Sequence, residues 1–117
     1  MKRNIAMILT QNLEDASELC GELMEMRDKG IVTVFFNTDR LAVEGGYQEL
    51  NFRIESYEED DCGIALIFIP NKDSQSDYVR IILNCSSHIP VILGARGIKE
   101  NEEIIDEVKD IFFKKEK

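Results

Sequence analysis

A single histidine, His88, is all this chain contains. A Ser-His-Asp triad or a multi-histidine metal site therefore has little to build on. No GxGxxG or phosphate-loop pattern follows any apolar run, so a backbone cradle for phosphate is not encoded. No apolar run approaches the roughly 18 to 20 residues that span a bilayer. The three cysteines, Cys20, Cys62 and Cys85, are odd in number and far apart, which suits free thiols in a reducing compartment. Behind Met1-Lys2-Arg3-Asn4 the apolar run stops at Leu9, with no small-residue cleavage pattern, so a secretory leader is not expected. Positive charge is the scarcer sign, 14 Lys and Arg against 23 Asp and Glu, a net charge of -9. An acidic surface disfavours a nucleic-acid backbone, whose phosphates it repels, and direct docking on anionic lipid.

What is present reads as one α/β domain of 117 residues, large enough to bury a core without metal or disulfide staples. Asn4 to Leu9 is a short continuous apolar run, as expected of a strand covered on both faces. Asn12 caps a helix in which Leu13, Ala16, Leu19, Cys20, Leu23 and Met24 recur at helical spacing. Lys29-Gly30 ends it, and Ile31 to Phe36, β-branched and aromatic, reads as a second strand. After Gly45-Gly46, the spacing of Tyr47, Leu50, Ile54 and Tyr57 predicts another helix.

The acidic turn Glu58 to Asp61 then leads into a third strand, about Gly63 to Ile69. Ser76 is a candidate cap for a helix presenting Tyr78, Val79, Ile82 and Leu83. Val91 to Leu93 is the fourth strand, and a last helix places Ile104, Val108, Ile111 and Phe112 on one stripe with Ile105 beside it. Strands alternating with helices predict a small four-stranded parallel sheet with flanking helices, Rossmann- or flavodoxin-like, plus a C-terminal helix able to project to a partner. The division expected is a sheet domain over 1–97 and a C-terminal amphipathic helix over 98–117.

In such a sheet, ligands bind beyond the carboxyl ends of the strands. Those ends carry Thr10-Gln11-Asn12, Asn37-Thr38-Asp39-Arg40, Asn71-Lys72-Asp73 and Gly94-Ala95-Arg96-Gly97. The set is polar enough for a small anion, but polar residues are also what any solvated loop needs, and that plainer reading is preferred. Asp60-Asp61 resembles a metal-binding pair, yet a receiver-type site needs acids after the first strand, where Thr10-Gln11 stands; a charged turn accounts for it better. Cys62 lies beside acids, which oppose a thiolate. Cys20 and Cys85 fall on or next to apolar faces and read as packing residues. No catalytic, cofactor-binding or metal-ligating residue is expected.

The last helix is the exception. Its apolar residues Ile104, Ile105, Val108, Ile111, Phe112 and Phe113 cover more than one face, whereas a surface helix needs one stripe. Packing on its own sheet explains most of this; helix-on-helix docking of a partner is the second reading.

The blocks Phe52-Arg53, Asp60-Asp61-Cys62-Gly63-Ile64-Ala65-Leu66-Ile67, Val79-Arg80 and Ile89-Pro90-Val91-Ile92-Leu93, with the opening strand Asn4 to Ile8, resemble the F-subunit family of the V-type ATPase. That family pairs an Arg-bearing helix with an Asp-Asp turn, then a strand of the form Asp-Asp-x-Gly-Ile-x-Leu-Ile and an Ile-Pro-x-x-Leu strand. It ends in a charged helix similar to Ile104 to Phe113. The resemblance implies a non-catalytic component of a rotary proton pump. It implies a place on the central stalk beside the coiled-coil shaft, which is the pump's D component, and near other members of the complex, on the cytosolic face of a vacuolar or endomembrane. It also implies no nucleic-acid contact and no membrane insertion. Ile104, Ile105, Val108, Ile111 and Phe112 are the residues expected to meet the shaft. Two alternatives remain open: a DsrE-like sulfur carrier, which needs a reactive cysteine where Pro70-Asn71-Lys72-Asp73 stands, and a stand-alone flavodoxin-like binder of a small anion.

Overall fold

In a computed structural model, which describes residues 3–70, 77–84, 88–94 and 101–113, the four apolar runs form one parallel sheet. Its strands are β1 (Asn4–Thr10), β2 (Ile31–Asn37), β3 (Gly63–Ile69) and β4 (Val91–Leu93), in the order β2-β1-β3-β4. Between them run α1 (Ser17–Met24), α2 (Gly46–Glu59) and α3 (Asp77–Asn84), and α4 (Asn101–Phe113) follows β4. This is the expected α/β arrangement, consistent with a flavodoxin-like fold.

β1 and β3 are the inner strands, and both read as unbroken apolar runs because both faces are covered. Ile5, Met7, Leu9, Ile64, Leu66 and Phe68 point to one face, where Leu50 and Ile54 of α2 and Ile81 of α3 cover them. Ala6, Ile8, Ile67 and Ile69 point to the other, against Leu19 and Leu23 of α1 and Ile104 and Val108 of α4. The chain steps outward from β1 to β2, then back across β1 to β3 and β4. A constant crossover hand puts helices of opposite steps on opposite faces, which is the arrangement found.

α1 is shorter than the spacing predicted. Leu13–Ala16 and Arg27–Lys29 are 3-10 turns on either side of it. Leu13, in the first of these turns, is exposed; Met24, about 100° round α1 from buried Leu23, is exposed too, and Met26, between α1 and the second turn, is buried. In α3 Ile81 is buried, and Leu83, assigned to the apolar face, is exposed. The expected cap Ser76 and the side chains of Tyr78, Val79 and Ile82 lie outside the described residues. Asn12 caps as expected, its Oδ1 accepting from the Glu14 amide at 3.0 Å.

Candidate docking site

α4 is divided along its length. Ile104 and Val108 are buried in the core shared by α1, β1 and β3, so these two members of the expected partner stripe pack inside the chain's own domain. Ile105 and Phe112 are half-buried beside them. In the last turn Ile111 and Phe113 are 36% and 40% exposed. Of the residues expected to meet a partner, Ile111 is therefore exposed, Ile105 and Phe112 are partly accessible, and Phe113 joins them.

That last turn borders a depression of about 550 Å³ at the amino ends of the strands, whose other walls are Asn4, Lys29, Ile64 and Pro90. Gly63 sets its depth. A Cβ there would fall 2.6 Å from Asn4 Oδ1, which would have to move, but at an ordinary 3.5 Å from Phe112 Cε1, so the bare backbone is what makes room for the Asn4 side chain. Lys29 and Pro90 lie about 60 residues apart in sequence and were not legible as neighbours, because strand order is not written in local periodicity.

The carboxyl ends of the strands have less to offer. Thr10 Oγ1 donates to the Asn12 carbonyl at 3.1 Å, and Asn37 Oδ1 accepts from the Asp39 amide at 2.8 Å. Gln11 Nε2 donates to Asp39 Oδ1 at 2.7 Å, tying the loop after β1 to the loop after β2. These polar groups cap and clasp one another between the ends of β1 and β2, while the point where strand order reverses lies on the other flank of β1, beside β3. Asn71 to Asp73 and Ala95 to Gly97 lie outside the described residues.

Asp60 and Asp61 close α2. Asp61 sits in the left-handed region with φ 60, and the turn is held by backbone bonds. Among the described residues no three His, Cys, Asp or Glu side chains gather as a metal site would require. Cys62 is half-buried, with Sγ 3.9 Å from the Asp60 carbonyl. Cys20 Sγ lies 3.6 Å from Met24 Sδ, and Cys85 lies outside the described residues. His88 meets Glu58 through Nε2 at the protein surface. Among the described residues no helix is long and apolar enough to cross a membrane. Compared with known proteins, the chain matches no protein-family model, no curated protein and no solved structure.

Proposed function

We propose that this chain is a non-catalytic docking protein, and that its place is the central stalk of a V-type proton-pumping ATPase. There it would bind the coiled-coil shaft and help couple or regulate rotation, peripheral to the cytosolic face of the membrane. The observation that carries the docking reading is the last turn of α4. It presents Ile111 and Phe113 beside an open depression after the helix has already buried Ile104 and Val108. Phe112 still packs on the helix's own core, but Ile111 and Phe113 are not part of that cluster, and a helix that only closed its own core would have no use for them. A coiled-coil surface offers the complementary partner, since an amphipathic helix laid along such a turn buries apolar area on both sides. The choice of a stalk component rests on the sequence blocks at Asp60 to Ile67 and Ile89 to Leu93.

The test is gentle purification of the tagged native protein, with its companions identified by mass spectrometry. Recovery with a coiled-coil protein and large ATPase subunits, lost on combining Ile111→Asp with Phe113→Asp, is the expected result. Both positions are exposed, so the double variant should keep its fold. Recovery without ATPase subunits would overturn the stalk assignment. Unchanged recovery of the double variant would overturn the assigned face.

A further inference from the structure

The sheet face beneath α2 is not closed at its edge. Val32 and Val34 of β2 are in register with Ile5 and Met7 of β1 and share their face, yet Ile5 and Met7 are buried and the two valines only half-buried. α2 packs against the inner strand β3, so the edge strand keeps a strip of apolar surface. That strip, with Ile5, floors a depression of about 580 Å³. Arg3 forms one wall. It lies two residues before Ile5 and so starts on the same face. Tyr57, Asp60 and Asp61 form the other wall, where α2 ends.

Charge in this depression is divided between its walls. Asp60 and Asp61 stand at the carboxyl end of α2, where the helix dipole adds to their negative potential. Arg3 is the one cation among the described residues that line the depression. The Arg3 guanidinium, the two carboxylates and the Tyr57 hydroxyl have no ion-pair or side-chain hydrogen-bond partner among the described residues. Opposite charges therefore border one cavity, beyond ion-pair distance of each other. Asp61 also holds its carboxylate there at a left-handed position that favours glycine.

We propose that this depression binds a zwitterion with an apolar body, of the class of a free hydrophobic α-amino acid. Its ammonium goes to Asp60 and Asp61, and its carboxylate to Arg3. Its side chain lies on Ile5, Val32 and Val34, with the Tyr57 ring beside it. Charge selects this occupant. A purely anionic ligand meets two carboxylates, and a purely cationic one meets Arg3. An uncharged ligand takes all three groups out of water unpaired. A second copy of a chain with net charge -9 brings mostly negative surface to a negative rim. An α-amino acid carries both charges on one carbon and offers each wall its counterpart. The site does not involve α4 and stands independently of the stalk reading.

Amide NMR spectra of the full chain, titrated with L-phenylalanine and with L-leucine, should show saturable shifts at Arg3, Val32, Val34 and Asp61. Two analogues separate the charges. Phenethylamine lacks the carboxylate and hydrocinnamate lacks the ammonium, so each should bind at least about tenfold more weakly than L-phenylalanine. Glycine, which lacks the apolar body, should produce no shifts. Arg3→Gln should weaken L-phenylalanine by about tenfold without weakening phenethylamine. Asp60→Asn combined with Asp61→Gly should weaken both. The second of these changes relieves a left-handed side chain, so lost binding in a variant that keeps its spectrum reports the site and not unfolding. No shifts with either amino acid, equal binding of L-phenylalanine and phenethylamine, or unchanged binding in either variant would overturn the proposal.

Discussion

Gly30 and Asp61 occupy the same position in two copies of one turn. The Gly30 amide donates to the Arg27 carbonyl and the next amide, Ile31, to Met26; the Asp61 amide donates to Glu58 and the next, Cys62, to Tyr57. Both residues are left-handed, with φ 88 and φ 60. Each turn closes a helical segment and aims the chain into a strand, β2 in one case and β3 in the other. This is the Schellman arrangement, in which glycine is the usual occupant.

The repeat makes a reciprocal prediction. Asp61→Gly should stabilise the protein by about 1 kcal/mol, since it relieves a left-handed side chain and removes an anion from the negative end of a helix. Gly30→Asp should destabilise it by about 1 to 2 kcal/mol for the first of those reasons. Urea denaturation midpoints read both. A loss of stability in Asp61→Gly would mean that the Asp61 carboxylate makes a compensating contact.

Salt should stabilise the chain. Glu58, Glu59, Asp60 and Asp61 crowd the carboxyl end of α2, and the whole chain carries a net charge of -9. Ionic screening weakens both that repulsion and its conflict with the helix dipole. A thermal midpoint that rises between low salt and about 0.5 M sodium chloride, and rises less in Asp61→Gly, is expected. A midpoint that falls with salt would contradict this account.

The two ends of α4 should respond differently to truncation. Ile104→Ala empties a fully buried site and should cost about 2 to 5 kcal/mol. Ile111→Ala, at a partly exposed site, should cost under about 1 kcal/mol. Chemical denaturation of the isolated protein distinguishes them, and equal losses would mean that the last turn is as much core as the first.

Cys62 should behave as an ordinary thiol. It lies among Asp60, Asp61 and the carbonyl of Asp60, and among the described residues only Arg3 brings a positive charge to the shallow depression they line. Its reaction with a neutral disulfide reagent should be no faster than that of the urea-unfolded chain. A rate about a hundred times faster would revive the sulfur-carrier reading.

The strands were legible in the sequence because each is a short apolar run bounded by turn residues. Asn4–Thr10, Ile31–Asn37, Gly63–Ile69 and Val91–Leu93 lie within one residue of where the runs place them. The helices were legible where the backbone stays α-helical, as in α2 with its buried Leu50 and Ile54. They were misread around α1, where the helix is shorter than its apolar spacing and is flanked by 3-10 turns: Leu13 and Met24 are exposed and Met26 is buried. In α4 the periodicity correctly marked an apolar stripe. It could not show where the supporting sheet stops, and that limit is what separates Ile104 from Ile111. The place of β2 at an edge of the sheet was invisible, because strand order is not written in local periodicity.

Placing β3 between β1 and β4 also has a consequence for synthesis on the ribosome. β1 and β2 can pair once about 40 residues are free, but the second flank of β1 must wait for Ile69. Through that interval Arg3, Ile5, Met7 and Leu9 offer their peptide groups to any passing strand. The nascent chain is therefore most adhesive in mid-translation, on the flank that the finished protein hides most completely.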